Sequence, residues 1–116
     1  MIVFFTRLKA RTIWSWDGCV ETWRTEYSFR SWVWANLVSA ALALVLPLAP
    51  VERALILVLG LLVLAAELFN TAIENAVDHS STEIHPLAKR AKDAGSAGVA
   101  VAAFAAGVAW LVILIG

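Results

Sequence analysis

The sequence predicts an all-α membrane protein in which one N-terminal amphipathic surface helix precedes three transmembrane helices. Three observations predict this fold. The composition is 61% hydrophobic and only 16% charged, whereas an ordinary soluble domain is about 25% charged. Three apolar runs are long enough to be considered as membrane spans, and the cations cluster beside two of them. The 116 residues suffice for one integral-membrane domain covering the whole chain.

Residues 1–29 form the predicted surface helix, because this segment combines cations with aromatic side chains, among them Trp14, Trp16 and Trp23. Flat amphipathic rings beside cations are typical of the membrane interface. The Asp17-Gly18 pair marks a point where this helix could break.

The three predicted spans follow, over residues 31–49, 51–78 and 88–115. About 20 helical residues cross the hydrocarbon core of a bilayer. The first and third runs reach this length by themselves, whereas the second reaches it only if its polar lower part continues the same helix. Pro47 and Pro50 predict a tight turn after the first span, and Pro86 closes a polar loop before the third.

The distribution of Lys and Arg predicts the orientation of the spans. Eight cations precede the first or the third span: Arg7, Lys9, Arg11, Arg24, Arg30, Lys89, Arg90 and Lys92. Only Arg53 lies in the connection between the first two spans. By the positive-inside rule the N-terminus and the 79–92 loop are predicted to be cytoplasmic, and the C-terminus external.

Five polar side chains share one face of the second span. At about 100° per residue, their positions fall within an arc of roughly 100°, which groups Glu67, Asn70, Thr71, Glu74 and Asp78. Ionisable residues near the hydrocarbon are costly and mark functional sites by default. Solvation among headgroups explains Asp78, but not Glu67, which directly follows thirteen mostly aliphatic residues.

These side chains suggest two kinds of chemistry. A carboxylate at the edge of the membrane could act as a general base. Carboxylate oxygens are also preferred ligands of Mg²⁺, usually together with phosphate, and Glu26 could add a second carboxylate to Glu74. Lys92 and Asp93 stand at the edge of the third span, where a lysine beside carboxylates suits a phosphate. The spacing alone leaves the metal open.

Other classes of function are disfavoured. The formal net charge is zero, so nothing indicates a nucleic-acid partner. The single cysteine, Cys19, excludes an internal disulfide. The chain has neither a P-loop nor a protein-kinase signature, and His79 and His85 do not form a zinc pattern with the carboxylates.

Two stretches, ELFNTAIENAVD and TEIHPLAKRAKDAGSAGV, strongly resemble the prokaryotic integral-membrane diacylglycerol kinase family. The family signature is Glu-x-x-Asn-[Ser/Thr]-Ala-Ile-Glu-x-x-x-Asp, then Glu-x-His, then Ala-Lys-Asp, and all three parts occur here at the family's spacing. The N-terminal stretch FTRLKARTIWSWDGCVETWRTEYSFR is also similar to the family's amphipathic start. The resemblance covers nearly the whole chain.

The resemblance implies a homotrimeric kinase of the bacterial inner membrane, with its active site on the cytoplasmic side. It would transfer the γ-phosphoryl of ATP, with Mg²⁺, to the hydroxyl of diacylglycerol and give phosphatidic acid. Glu67 would be the base, Asn70 part of the catalytic cluster, and Glu26 and Glu74 the metal ligands at the nucleotide. The remaining matches are nucleotide contacts at Arg7, Trp14, Glu83, His85, Lys92 and Asp93, and a lipid contact at Ser96.

Two alternatives stay open at this point. The loop HPLAK is closer to family members that resemble undecaprenol kinases, whereas KDAGSAG is closer to the diacylglycerol branch. Asn75 also replaces a usual small apolar residue, which affects packing. A small oligomeric transporter coupled to cations or protons is the alternative from another class, although its acid would more naturally lie near the middle of the bilayer.

Overall fold

Four α-helices make up most of the chain in the computed structural model, which describes residues 1–80 and 85–116. In chain order they are α1 Ile2–Thr25, α2 Tyr27–Val45, α3 Pro50–Ser80 and α4 Pro86–Ile115. No strand occurs in the described ranges. Helices α2, α3 and α4 are each long and apolar enough to cross a membrane. The predicted all-α fold with three candidate spans is therefore confirmed.

The boundary between α1 and α2 is a single residue, Glu26, whose backbone is extended (φ −113°, ψ 108°). Arg30 secures this boundary, because its Nη1 donates to the carbonyl oxygens of Trp23 (2.5 Å) and Arg24 (3.2 Å). These two carbonyls lie in the last turn of α1, where helical partners run out. Helix α2 therefore begins at Tyr27, ahead of the span predicted from residue 31.

The chain does not break at Asp17-Gly18, which lies inside the continuous helix α1, so that expectation is wrong. The hydroxyl of Thr22 donates to the carbonyl oxygen of Gly18 at 2.7 Å. One glycine in a helix costs only about 1 kcal/mol relative to alanine. A cost of this size does not interrupt a helix of 24 residues.

Arg53 and Glu52 hold the turn between α2 and α3. Arg53 donates from Nε to the carbonyl oxygen of Ala43 (2.7 Å) and from Nη2 to that of Leu46 (3.2 Å), at the end of α2. An oxygen of Glu52 accepts from the backbone N–H of Ala49 at 2.8 Å, just ahead of α3. The side chains thus satisfy backbone groups that the two helix ends leave open.

Helix α3 is the centre of the fold, since it packs against each of the other three helices. Its buried residues recur every three or four positions and so lie on one face: Ile56, Gly60, Val63, Glu67 and Thr71. This face is apolar along most of its length and ends in two polar residues.

Polar contacts also tie α2 to the other spans. Trp110 on α4 donates from Nε1 to the hydroxyl of Ser39 on α2 at 2.8 Å. Asn36 donates to the carbonyl oxygen of Trp32 at 2.9 Å, and its Oδ1 lies so close to Gly60 on α3 that a Cβ there would overlap it. Small residues let helices approach this closely in membranes.

These contacts fix the antiparallel register of α2 and α3. Asn36 lies beside Gly60, and Arg53 reaches the end of α2. Because both helices rise by about 1.5 Å per residue, the same register continued toward the start of α2 brings Phe29 level with Glu67. It also brings Glu26 level with Asn70.

Helix α4 begins with a cap. The Nδ1 of His85 accepts from the backbone N–H of Leu87 at 3.0 Å, and Pro86 occupies the first helical turn, where its missing N–H costs nothing. The helix thus starts just ahead of the span predicted from residue 88.

Most of α1 stands away from the three spans. Every residue of α1 before Thr22 is exposed except Ala10, which is half-buried. The molecule measures 50 × 45 × 24 Å, whereas three helices packed 8–10 Å apart would give two short dimensions of roughly 20–30 Å. The second long dimension therefore reflects α1 projecting sideways.

Candidate active site

The solvent exposure of the predicted polar face of α3 increases from Glu67 to Asp78. Glu67 is 4% exposed and Thr71 is 8% exposed. Asn70 and Glu74 are half-buried, and the side chain of Asp78 is 64% exposed. The structure thus separates a dry end of the face, at Glu67, from a wet end, at Asp78.

Glu67 lies near one end of the membrane-spanning part of α3. At 1.5 Å per residue it is about 26 Å along the helix from Pro50, close to the roughly 30 Å thickness of a hydrocarbon core. Phe29 on α2 is level with it and is also buried. Glu67 makes no hydrogen bond or ion pair within the part of the chain that the structure describes. The residue is buried and its carboxylate has no partner among the described residues, so the carboxylate is available as a proton acceptor.

The amide of Asn70 holds the next carboxylate on this face. Its Nδ2 donates to Oε1 of Glu74 at 3.1 Å. The other end of the amide, Oδ1, is buried and has no hydrogen-bond partner among the described residues. Because an ionised carboxylate only accepts hydrogen bonds, the NH₂ group must be the end that faces Glu74. The unsatisfied oxygen follows from that orientation.

Glu26 is the second carboxylate at this level, at the boundary between α1 and α2. It is half-buried, and no side-chain hydrogen bond or ion pair engages it within residues 1–80 and 85–116. No group of three or more His, Cys, Asp or Glu residues suited to a metal occurs in those ranges. The two carboxylates, Glu26 and Glu74, are donors of the kind that Mg²⁺ takes when phosphate and water complete its shell.

Charged residues at the wet end join α3 to α4. Lys92 pairs with Asp78 at 2.5 Å, and Asp93 pairs with Lys89 at 2.6 Å. The first pair bridges the two helices, and the second lies within the first turns of α4. Of the predicted nucleotide contacts, Lys92 therefore lies at the exposed end of the polar face of α3, whereas Asp93 is exposed on α4 beside Lys89.

Other predicted site residues are not brought to this face within one chain. Arg7 and Trp14 are exposed on the projecting part of α1, and Arg7 borders a shallow hollow lined only by residues of α1 itself. His85 caps α4, and Ser96 is exposed on α4. Glu83 lies outside the described residues.

Sequence reasoning missed the polar residues inside the spans, Asn36, Ser39 and Trp110, and the contact that Gly95 makes with Asn70. Polar residues in an apolar run are a usable signal, because they need partners in lipid. The sequence gives no such signal for the residue that a glycine contacts, because that contact depends on the register between two helices.

The fold and this face define a helical membrane protein with a carboxylate–amide cluster at one end of its spans. The sequence model of the family described as prokaryotic diacylglycerol kinase matches residues 13–114. The chain belongs to this family, and the resemblance noted from its motifs is confirmed.

Relatives from three bacteria support the same assignment, and each carries the name diacylglycerol kinase. That of Pseudomonas aeruginosa is 43% identical over 110 residues, covering 95% of this chain and 89% of the relative. That of Escherichia coli is 36% identical over 110 residues, covering 95% and 90%. That of Helicobacter pylori is 41% identical over 93 residues, covering 80% and 73%.

Proposed function

We propose that the chain transfers the γ-phosphoryl group of ATP to the hydroxyl of diacylglycerol and so produces phosphatidic acid. The observation that carries this proposal is the buried residue Glu67, whose carboxylate has no partner among the described residues and lies one turn from the Asn70–Glu74 pair. A lipid hydroxyl at the edge of the hydrocarbon would meet Glu67 without leaving the membrane. The names of the relatives support the choice of acceptor.

In the proposed reaction Glu67 takes the proton of the lipid hydroxyl. The hydroxyl oxygen forms a bond to the γ-phosphorus, while the bond from that phosphorus to the β–γ bridging oxygen breaks and ADP leaves with its electron pair. Phosphoryl transfer needs little covalent chemistry from a protein, and it depends on positioning and charge compensation. Glu67 supplies the proton acceptor, and Asn70 holds Glu74 in place.

Glu26 and Glu74 would hold Mg²⁺ at the wet side of Glu67. When bound, the cation neutralises charge on the phosphate oxygens of the nucleotide. Both carboxylates are half-buried, and both lie on the wet side of Glu67: Glu74 is two turns further along α3, and the register of α2 and α3 puts Glu26 level with Asn70. This arrangement keeps the charged phosphates outside the hydrocarbon.

The nucleotide would contact Arg7, Trp14, Glu83, His85, Lys92 and Asp93, and the lipid would contact Ser96. Lys92 already forms an ion pair with the carboxylate of Asp78 at 2.5 Å. Phosphate oxygens are also negatively charged and would bind the same ammonium group. His85 uses Nδ1 to cap α4, which leaves Nε2 as a donor toward a nucleotide.

A homotrimer with shared active sites would bring together what one chain leaves apart. Arg7 and Trp14 lie on the projecting part of α1, away from Glu67 of the same chain. Large apolar side chains such as Leu61, Phe69 and Phe104 are exposed on the spans and are available to lipid or to other copies.

Co-assembly of inactive Arg7→Ala and Glu67→Gln chains should restore turnover, because mixed trimers contain sites with both native residues. Failure to restore any turnover would contradict shared sites.

We place the protein in the bacterial inner membrane, with α1 as an amphipathic helix on the cytoplasmic surface and the active site on that side. The support is the clustering of cations before α2 and α4 and the exposed aromatic residues of α1, Trp14 and Trp16 among them. A reporter fused to the C-terminus should be active only outside the cytoplasm. Activity inside the cytoplasm would contradict this topology.

Purified protein in detergent micelles tests the reaction. With ATP, Mg²⁺ and a short-chain diacylglycerol it should form phosphatidic acid, and undecaprenol should be a poor acceptor. The relatives described above carry the diacylglycerol name and none names undecaprenol. Phosphorylation of undecaprenol alone, or no lipid phosphorylation with either acceptor, would contradict the proposal.

A further inference from the structure

Gly95 on α4 lies directly against the side chain of Asn70 on α3. A Cβ built at Gly95 would overlap Oδ1 of Asn70, whereas it would be in ordinary contact with Ile73, at 3.5 Å from Cδ1. The hydrogen that Gly95 carries in place of a Cβ therefore points at the amide oxygen. Such Cα–H···O contacts recur between close-packed helices and are weak.

The amide oxygen that lies against Gly95 has no hydrogen-bond partner within the described part of the chain. The Oδ1 of Asn70 is buried without a hydrogen bond, while its Nδ2 donates to Glu74 at 3.1 Å. A buried acceptor without a partner costs about 1–3 kcal/mol. The hydrogen bond to Glu74 sets which end of the amide faces α4, and the missing side chain of Gly95 leaves the space that the amide oxygen occupies.

We propose that Gly95 is a positioning residue for the reaction: its bare Cα seats the amide of Asn70, and the amide in turn fixes the carboxylate of Glu74. The inference rests on the proposed function, in which Glu74 holds the cation at the nucleotide. A methyl group at position 95 would displace the amide or force α3 and α4 apart, and either change removes the donor from Glu74.

Gly98 offers a matched control one turn further along α4. It lines the same groove between α3 and α4 as Gly95 does, but a Cβ at Gly98 would meet nothing within 4 Å. Both glycines are helical, so replacement by alanine gives each variant the same gain in helix propensity. Any difference between Gly95→Ala and Gly98→Ala therefore reports on Asn70.

The test measures metal binding directly as well as turnover. Binding of Mn²⁺ in the presence of ADP, followed by electron paramagnetic resonance, should weaken roughly tenfold to a hundredfold in Gly95→Ala, as expected when a group that orients a ligand is lost. The Mg²⁺ concentration that gives half-maximal turnover should rise by a similar factor. Gly98→Ala should match the unaltered protein in both measurements. Equal behaviour of the two glycine variants would overturn the inference.

A double variant separates positioning from general loosening of the helices. Once Asn70 is shortened to alanine the clash disappears, so Asn70→Ala/Gly95→Ala should bind Mn²⁺ no more weakly than Asn70→Ala and should recover the Tm lost in Gly95→Ala. A further loss of Mn²⁺ affinity in the double variant would contradict the inference. If the proposed function itself were wrong, the unaltered protein would not phosphorylate lipid, and this result is distinct from any difference between the variants.

Discussion

The two ends of the helix bundle differ in whether their polar side chains have hydrogen-bond partners. At the end that carries the α2–α3 turn, the polar side chains find partners within the chain. Arg53 and Glu52 bond to backbone groups, and Trp110 bonds to Ser39. These contacts connect α2 to α3 and α4, so they hold the spans together.

At the other end three buried or half-buried polar groups lack partners among the described residues. Glu67 is buried without a hydrogen bond, and the amide oxygen of Asn70 is buried and unsatisfied. Glu26 is half-buried and unpaired. Native proteins leave few buried polar groups unsatisfied, so each exception calls for an explanation.

Two asparagine–glycine contacts make the same difference visible in detail. Asn36 rests on Gly60, and Asn70 rests on Gly95. Asn36 gives its NH₂ group to a carbonyl of its own helix, whereas Asn70 gives its NH₂ group to the carboxylate of Glu74. The first asparagine serves packing, and the second orients a group that is available for chemistry.

Replacing Glu67 should have the largest effect on activity. General-base catalysis typically contributes roughly 10²–10⁴-fold, so Glu67→Gln should lower kcat by about that factor with a much smaller change in the apparent affinity for ATP. Steady-state kinetics with diacylglycerol and ATP measures both. Near-normal turnover in a stable Glu67→Gln protein would move the base role to Asp93 or to the substrate itself.

Removal of a proposed metal ligand should come next. Glu26→Gln and Glu74→Gln each keep the shape of the side chain and replace a charged oxygen ligand by a neutral one. Each should raise the Mg²⁺ concentration for half-maximal turnover by at least roughly tenfold, while Glu52→Gln, at the other end of the bundle, should not. Normal Mg²⁺ dependence in both variants would rule out the assignment.

Removal of a polar contact at the turn end should affect stability more than turnover. Ser39→Ala removes the acceptor of Trp110, and hydrogen bonds between membrane helices contribute about 0.6 kcal/mol on average. The free energy of unfolding in detergent should fall by about that amount, with kcat nearly unchanged. Ser31→Ala is the control, since Ser31 bonds only to a carbonyl of its own helix. A large loss of kcat in Ser39→Ala would contradict the division between the two ends.

The smallest effect is expected at the surface pair of Asp78 and Lys92. Both side chains are well exposed, at 64% and 40%, and exposed ion pairs contribute between 0 and about 1 kcal/mol. Asp78→Asn should therefore change Tm little, and the change should shrink as salt is added. A large loss of stability that persists in high salt would show that this pair is not a surface contact.

Local patterns in the sequence were enough to predict the helices and the polar face of α3. Apolar runs gave the three spans, and the period of 3.6 residues put Glu67, Asn70 and Glu74 together. The boundary at Glu26 could not be predicted in the same way, because Thr-Glu-Tyr contains no glycine or proline and Arg30 stabilises it from the next helix. The sequence pattern also marked Gly18 as a possible break, whereas Gly18 lies inside the continuous helix α1.

Contacts between helices were beyond local patterns. The Asp78–Lys92 pair and the seat of Asn70 on Gly95 depend on the register of α3 against α4. That register results from packing along both helices, and no short motif encodes it. The motifs of the family nevertheless singled out candidate site residues, since those of α3 and α4 are carried at fixed spacing, and the roles of these residues stay predictions.

The central claim is that Glu67 is kept for chemistry at a cost in stability, and the thermal stability of Glu67→Gln tests it most directly. The variant exchanges the carboxylate of a buried residue, which has no partner among the described residues, for a neutral amide of the same shape, which is easier to bury. Thermal unfolding in detergent, measured on the same preparation as kcat, should give a Tm equal to or above that of the unaltered protein while turnover is largely lost. A Tm that falls together with turnover would contradict the claim and assign Glu67 to packing.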